Sequence, residues 1–468
     1  MNMNDKNTIS VMNSEKGYQS IDDQNMTERL AAHVANYGNI QLDKGLVHQV
    51  KRTCLDYVCA AITGANTEVS RLVYEYLIES EGRGTTNIIG YQSGLLKGNA
   101  AFLNGTSAHC LDMDDGHTGG SVHPGTVVFP VVFAIAQHVK PTFDELAKAI
   151  VIGYDVCLRI SSAIHPSSRQ RGFHNTPVAG IFGAVAAASV LYGLKKEEVQ
   201  NAFGIAGSFA GGIFAFLGTG SEVKRIHPGQ AARDGISAVE LTRKGLSGPK
   251  DVLEGENGLF QAFADGKVSV ERMFKDIGEK YEIMNIYFKP YPCCRHLHSS
   301  IDAVYELKMN AQIQPLDIAE IRIGVNKIAY LHRHKNCQTL LDAQMSLPYA
   351  IASAIYHPVL EVNHFQPEQT KETISRLAQL VEVYVDEEAD QHYPAQRAAR
   401  LEIKLKNSKT LTCYVENPLG EPSKPLSDEK LEMKFIANCS SIIGEERAKS
   451  IVQSIKNLEE YMETLYSI

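Results

Sequence analysis

The chain has 468 residues, more than one hydrophobic core usually organises, so two domains are expected. Hydrophobic residues make up 44% of it, as in globular proteins, and the formal net charge of -8 argues against nucleic-acid and membrane partners. Its nine cysteines follow no regular spacing, so they indicate reduced thiols in a cytoplasmic protein.

The chain begins with a polar segment and then becomes helical. Residues 1–23 are rich in Asn, Ser, Asp and Gln, which predicts a disordered leader outside the fold and argues against a secretory signal. Residues 44–63 carry apolar side chains at spacings of three and four, the pattern of an amphipathic helix, and Gly64 is expected to end that helix. Residues 125–139 and 144–163 are predicted helices for the same reason.

Two uncharged segments, residues 177–194 and 201–221, are long enough to cross a membrane. Ala, Gly and Ser dominate both of them, and the charged residues 195–198 separate them. Small residues let helix backbones approach closely, so these segments are predicted to be buried helices of a soluble bundle, with no membrane partner.

After about residue 285 the pattern changes. Apolar and polar residues alternate over 321–325 and over 401–405, and residues 410–415 follow after a short polar turn, which predicts a strand and a hairpin. A helix is predicted between them, over residues 346–356.

These segments predict a mainly α fold with two domains. Residues 24–284 and 416–468 are expected to form a large all-helical domain, into which residues 285–415 are inserted as a smaller α+β lid domain. The charged amphipathic pattern of residues 428–466 predicts a C-terminal helix that packs back on the first domain.

The densest polar cluster lies in the loop between residues 109 and 124, where catalytic groups commonly occur on a rigid scaffold. Asp and His side chains serve both as metal ligands and as acid–base groups. Because no zinc or EF-hand spacing is present, acid–base chemistry is favoured and no metal is predicted. The cluster consists of His109, Asp112, Asp114, Asp115, His117 and His123.

Two further clusters place cations next to the uncharged segments. Arg171 and His174 come just before Pro177, which is expected to begin a helix, and a helix N-terminus favours bound anions. Lys224 and His227 follow the second uncharged segment, where an ammonium group can bind a carboxylate or, if desolvated, titrate near neutrality. Ordinary helix ends would carry the same residues, so neither cluster identifies a site alone.

The fourth cluster, residues 289–298, lies at the junction of the two predicted domains, a common place for a pocket. Lys289 begins it, and Cys294 is expected to line the pocket and not to act as a nucleophile. Because the chain has no phosphate-binding loop and no GxGxxG motif, no cofactor is predicted. Together the clusters suit a small di- or tricarboxylate substrate and proton transfer.

Five segments, in this order, resemble blocks of the MmgE/PrpD family. They are LDMDDGHTGGSVHPG, RGFH, KRIHPGQAARDG, KPYPCCRHLH and DAQMSLPYAIA, and the resemblance extends over about residues 25 to 465. The family includes 2-methylcitrate dehydratases, cis-aconitate decarboxylases and iminodisuccinate epimerases. The resemblance therefore implies a cofactor-independent lyase that forms a carbanion or enolate from a small tricarboxylic acid.

The resemblance also implies a homodimer and a metal-free site between the helical domain and the lid. By this resemblance, Cys294 stands where the related decarboxylases carry a pocket histidine, which bears on the identity of the substrate. The positions that match the decarboxylase pocket are Asp112, His123, His174, Lys224, Lys289 and Tyr330.

Roles follow from this resemblance as hypotheses. His123 is expected to transfer the proton, with Asp112 orienting it or acting as partner base, and His174 is the second candidate for the acid–base group. Lys224 is expected to lie closest to the developing negative charge. Substrate carboxylates are expected to be bound by Lys289, Arg171 and His227, and Tyr330 is expected to donate a hydrogen bond from the lid.

Three alternatives remain at this point. The first is epimerase or isomerase chemistry on a succinate derivative, which requires bases on both faces of the substrate. The second is a catalytically silent carboxylate-binding protein on the same fold. The third is a metalloenzyme that uses the Asp and His side chains of the loop at 109–124.

Overall fold

A computed structural model describes residues 25–217, 219 and 221–460. The predicted leader, residues 1–23, lies outside the described residues, as do the last residues of the predicted C-terminal helix. The α-helices are, in chain order, α1 (Met26–Ala35), α2 (Lys44–Ala65), α3 (Glu68–Glu81), α4 (Lys97–His109), α5 (Gly125–Val139), α6 (Phe143–Ile164), α7 (Ser167–Gln170), α8 (Asn175–Tyr192), α9 (Lys196–Gly207), α10 (His227–Arg243), α11 (Leu259–Ala264), α12 (Val270–Phe274), α13 (His298–Asn310), α14 (Lys327–Tyr330), α15 (Leu340–Gln344), α16 (Leu347–Tyr356), α17 (Glu372–Leu380), α18 (Glu387–Gln391), α19 (Asp428–Ile443) and α20 (Glu445–Lys456).

Two small sheets complete the described part of the chain, so the mainly α prediction is confirmed. The second sheet has the order β4-β3-β5-β6, in which β3 pairs parallel with β4 and antiparallel with β5. The predicted strand is β3, and the predicted hairpin is the antiparallel pair β5 and β6. The strands are β1 (Thr86–Ile88), β2 (Tyr91–Leu95), β3 (Ile318–Val325), β4 (Val381–Val385), β5 (Ala399–Leu405) and β6 (Thr410–Val415).

The buried apolar residues form two main clusters. The first is built by the helices before residue 290 together with the C-terminal helices α19 and α20, which pack against α2. The second is formed by the sheet β4-β3-β5-β6 with α13, α16 and α17. The boundaries at 284/285 and 415/416 stay a prediction.

Helix α8 lies at the centre of the first cluster, against α5, α6 and α10. It is the one helix in the described part of the chain that is long and apolar enough to span a bilayer, and 89% of its apolar window is buried inside the fold. The first uncharged segment is therefore a buried helix. Its first residue is Asn175, so the predicted start at Pro177 was two residues late.

The second uncharged segment is not the predicted helix over 201–221. Helix α9 ends at Gly207, and residues 208–217 form an irregular loop with one 3-10 turn at Phe214–Phe216. The φ of Gly212 is 109°, and a Cβ there would lie 2.5 Å from the Cγ atom of Pro177. A helix through this position would therefore collide with the start of α8.

Gly64 has a different role from the predicted one. Helix α2 continues through it to Ala65 and meets α4 there, since a Cβ at residue 64 would lie 1.8 Å from the carbonyl oxygen of Ser107. Glycine is therefore required by the close approach of two helix backbones and not by the end of the helix. The predicted C-terminal helix is divided in two at Gly444, whose φ is 86°.

We expect Gly64→Ala to lower the free energy of unfolding by about 1–3 kcal/mol, because the added methyl group forces α2 away from α4. Chemical denaturation of the purified protein measures the loss. Gly45→Ala, in the first turn of the same helix, is the matched control, since its Cβ meets nothing closer than 3.4 Å. Equal stability of the two variants would show that the contact at residue 64 relaxes without cost.

Candidate active site

A small cavity of about 40 Å³ lies where the two apolar clusters meet. Histidine, arginine and lysine side chains dominate its wall, and the loop between α4 and α5 supplies its acidic side. The lining residues are Asp112, Ser121, His123, Arg169, His174, Phe214, Lys224, Tyr287, Cys294, Arg295, His296, His332, Met345 and Arg397.

Asp112 holds two lysine ammonium groups together at this wall. Its Oδ1 accepts hydrogen bonds from the Nζ atoms of Lys224 and Lys289, each at 2.8 Å, and its backbone carbonyl accepts a third from Lys289 at 2.9 Å. All three residues are at most 3% exposed. Burial alone would raise the pKa of Asp112, but the charges of Lys224 and Lys289 hold it well below its usual range. The pKa of Lys289 is correspondingly raised.

The backbone of the loop is shaped to present this carboxylate. Asp112 has a φ of 53°, in the left-handed region that non-glycine residues seldom occupy and that recurs at functional sites. Further along the loop, Gly116 exchanges two backbone hydrogen bonds with Tyr287, which brings Lys289 to the cavity. A Cβ at residue 116 would lie 2.3 Å from the Tyr287 hydroxyl.

His123 is oriented by Asp114 and not by Asp112. Its Nδ1 lies 2.8 Å from the carbonyl oxygen of Asp115 and 3.2 Å from Oδ2 of Asp114, so Nδ1–H donates to both and Nε2 is left for the cavity. The same Asp114 oxygen is 2.9 Å from Nδ1 of His109. Burial lowers the pKa of His109 to about 3, so this second imidazole is a neutral donor to Asp114.

The nitrogen and oxygen atoms of His109, Asp114 and His123 lie within 4.8 Å of one another, close enough to share a metal ion. Two features favour the hydrogen-bonded arrangement instead. The ammonium group of Lys289 is 3.9 Å from Oδ1 of Asp114, and Lys224 adds a second cation nearby. A divalent cation would meet both positive charges at short range.

His174 and His227 form a second pair of imidazoles, with their Nδ1 atoms 3.0 Å apart. His174 directly precedes α8 and lines the cavity, and His227 opens α10. Burial lowers the pKa of His174 well below its usual range and that of His227 to about 4, so both are neutral near neutral pH. One ring therefore donates and the other accepts.

Residues that are distant in sequence bind the loop between α4 and α5 by hydrogen bonds. Lys434 of α19 donates to the carbonyl oxygen of Met113 at 2.6 Å and to Oδ1 of Asp56 at 2.7 Å. Gln344 of α15 donates to the carbonyl oxygen of Leu111 at 2.7 Å. The position of the acidic wall thus depends on both apolar clusters.

Two family models match the chain. The model of the MmgE/PrpD N-terminal domain matches residues 28–271, and that of the MmgE/PrpD C-terminal domain matches residues 291–460. The chain belongs to the MmgE/PrpD family.

Several related proteins align with nearly the whole chain. The Cis-aconitate decarboxylase-like protein oryM of Aspergillus oryzae is 26% identical, over 93% of this chain and 95% of its own length. The Cis-aconitate decarboxylase of Homo sapiens is 28% identical, over 93% and 92%. That of Aspergillus terreus is 24% identical, over 93% of each.

Most of the predicted site residues of this MmgE/PrpD protein come together. Asp112, His123, His174, Lys224 and Cys294 line the cavity. Two others stand directly behind that wall, since Lys289 is bonded to Asp112 and His227 to His174.

Arg171 and Tyr330 are not brought into the cavity. The side chain of Arg171 is 42% exposed and points to Asp265, 3.5 Å away, while Arg169 lines the cavity. Residues two apart on a helical turn project in nearly opposite directions, so the sequence motif pointed to the wrong arginine. Tyr330 ends α14 under the guanidinium of Arg333, and His332, two positions later, is the lining residue.

Sequence reasoning missed several residues of the cavity. Arg169 lies two residues before Arg171 in the same motif, so the sequence alone could have predicted it. Asp114 was noted as part of the polar loop but was given no partner. Arg397 and His332 belong to no recognisable pattern, because the turn after α18 and the end of α14 place them. Burial keeps His332 neutral, with a pKa lowered to about 4.

Proposed function

We propose that this protein is a lyase that decarboxylates a small tricarboxylic acid of the cis-aconitate type, without a cofactor. The observation that supports this most strongly is the lysine pair on Asp112 beside the Nε2 face of His123. Asp112 also binds Lys289, and Lys224 lines the cavity, so the Lys224 ammonium group is within reach of a substrate carboxylate. The named relatives add to this support, since three of them are called cis-aconitate decarboxylases or similar.

The chemistry requires stabilisation of negative charge. Loss of CO2 breaks one carbon–carbon bond and leaves its electron pair on the substrate, delocalised through the adjacent double bond toward another carboxylate. Lys224 and Lys289 are fixed near this charge before the reaction begins, and each such preorganised donor can contribute about 3–4 kcal/mol. Their partner Asp112 holds them close together despite their mutual repulsion.

The proton that completes the product comes from His123. The imidazolium form donates from Nε2 to the carbanion and afterwards regains a proton from solvent, so one proton is consumed for each CO2 released. Asp114 stabilises the positive imidazolium through Nδ1–H and fixes the ring orientation. His174 faces the same cavity as a neutral imidazole, which can form a hydrogen bond with the substrate.

Proton NMR in deuterated water tests this proposal. The enzyme is incubated separately with cis-aconitate, 2-methylcitrate and a chiral succinate derivative. We expect CO2 release from cis-aconitate, with one deuterium at a single carbon of the product. Loss of water from 2-methylcitrate, or exchange at the succinate stereocentre without net reaction, would replace decarboxylation with dehydration or epimerisation. No change in any of the three acids would contradict the proposal.

We expect Asp114→Asn to lower kcat about ten- to hundredfold with little change in KM, because the amide keeps the shape of the side chain and removes its charge. The reaction needs protonated His123, and loss of the neighbouring carboxylate makes that form less stable. Steady-state kinetics with cis-aconitate measure kcat and KM.

Asp115→Asn is the matched control. Burial and the nearby Asp56 charge raise the pKa of Asp115 well above its usual range, so this carboxyl group is already uncharged. Its hydrogen bonds, to the Gly125 backbone N–H at 3.0 Å and the Tyr154 hydroxyl at 2.7 Å, are within reach of an amide. An equal loss of kcat in both variants would contradict the role of Asp114.

A further inference from the structure

Two arginine side chains that line the cavity form no ion pair with a carboxylate of the described residues. Arg169, in α7, is 7% exposed, and its guanidinium carbon lies 3.6 Å from the centre of the Phe214 ring. Within the described residues, no carboxylate forms an ion pair with it. Phe214 binds the flat face of the guanidinium by a cation–π contact and leaves its N–H edge toward the cavity.

Arg397 is the second unpaired arginine and comes from the other apolar cluster, just before β5. It is 4% exposed, its Nη2 donates to the carbonyl oxygen of Thr118 at 3.2 Å, and its Nε is buried without any partner. In the part of the chain that the structure covers, it too forms no ion pair. Its remaining contact, at 3.5 Å, is with the Nε2 atom of the neutral ring of His296.

A third arginine shows that the protein neutralises such charges where they serve the fold. Arg295 also lines the cavity, and both its Nε and its Nη2 donate to Oε1 of Glu421, at 3.1 and 2.8 Å. Its remaining donors reach His298 and two backbone carbonyl oxygens. Arg295 is therefore a structural residue, in contrast to Arg169 and Arg397.

The charges of Arg169 and Arg397 affect the same two buried histidines. The rings of His165 and His296 are buried there, and after burial itself the charges of Arg397 and Arg169 are among the causes that keep their pKa values well below the usual range. Neutral rings provide no counter-charge. Lys224 and Lys289, in contrast, already share Asp112.

A buried guanidinium without a carboxylate is unfavourable unless a ligand supplies the anion. We propose that Arg169 and Arg397 together bind a carboxylate of the substrate that does not react, and so make the site selective for three carboxylates over two. This inference rests on the proposed function for the class of ligand. It adds two arginine side chains to the groups of the cavity that bind the substrate.

Isothermal titration calorimetry with tricarballylate tests the inference without any turnover. This tricarboxylate has no double bond to delocalise a carbanion, so it binds without reacting. We expect Arg169→Gln and Arg397→Gln each to weaken its binding about ten- to hundredfold, the usual effect of losing a charge-assisted hydrogen-bond donor. Glutarate lacks the central carboxylate and methylsuccinate lacks one terminal carboxylate. At least one of these dicarboxylates is expected to bind the variants within about threefold of the unaltered protein.

Arg171→Gln is the matched control, since it removes the same side chain two residues away at a position outside the cavity. It is expected to leave the binding of all three acids unchanged. Thermal unfolding without ligand is a second readout. Removing an unpaired buried charge is expected to leave the unfolding temperature unchanged or higher, whereas a structural arginine such as Arg295 would lower it.

Equal weakening of all three acids, or unchanged tricarballylate binding, would overturn the inference, as would the absence of tricarballylate binding to the unaltered protein. The outcome is distinct from that of the proposed reaction. Selective weakening without turnover of any acid would leave the arginine subsite standing and reject decarboxylation. Turnover of cis-aconitate with an unchanged KM in both variants would support decarboxylation and reject the arginine subsite.

Discussion

We expect His123→Asn to lower kcat about a hundred- to ten-thousandfold, the range that general acid catalysis contributes. Asparagine keeps a donor near the Asp114 and Asp115 oxygens but cannot deliver a proton to the substrate. Binding of tricarballylate is expected to stay within a few-fold of the unaltered protein, because the cations of the cavity are untouched. Rates of CO2 release and calorimetric titration measure the two effects separately.

The control for this variant is His48→Asn, whose ring is 55% exposed on α2 and far from the cavity. It is expected to retain full activity. If His123→Asn kept more than about a tenth of the activity, the proton would have to come from another group, and His174 would be the next to test.

The second large effect is expected from Lys289→Met. Lys289 is fully buried, and its loss leaves Asp112 with only Lys224, while Oδ2 of Asp112 already has no hydrogen-bond partner. Breaking a buried ion pair by removing one member costs about 3–5 kcal/mol. We therefore expect a loss of that size in the free energy of unfolding, measured by chemical denaturation, together with loss of activity.

The double variant Asp112→Asn with Lys289→Met separates charge from packing. It leaves the buried Lys224 without its carboxylate, so we expect the double variant to be less stable than Lys289→Met. Equal stability of the two variants would show that the loss in Lys289→Met arises from the cavity left by the lysine side chain and not from charge.

Local sequence patterns predicted the elements whose structure depends on local interactions. Helices α5 and α6 lie within a residue of the predicted bounds, because their apolar periodicity and the capping box of Thr142 and Glu145 act within single segments. The hairpin of β5 and β6 was predicted for the same reason. Strand β4 was missed, since only five residues alternate and α17 runs directly into them.

The site was predictable in composition but not in its pairings. Motif resemblance brought Asp112, Lys224 and Lys289 to one place, and the structure adds that a single oxygen atom joins them. The choice between Asp112 and Asp114 as the partner of His123 depends on the left-handed turn at Asp112. Sequence spacing carries no information on such a turn, because non-glycine residues adopt it only when the surrounding fold imposes it.

The anchor of the acidic loop has a consequence for synthesis on the ribosome. Lys434 lies 321 residues after Met113, whose carbonyl oxygen it binds, and Lys289 and Arg397 also follow the segment that carries His123. A nascent chain can complete its first helices long before these residues leave the exit tunnel. Until then the loop lacks the contacts of Lys289 and Lys434, so the cavity can be completed only when translation is almost finished. A fragment that ends near residue 271 is therefore expected to contain His123 and Lys224 yet have no assembled site.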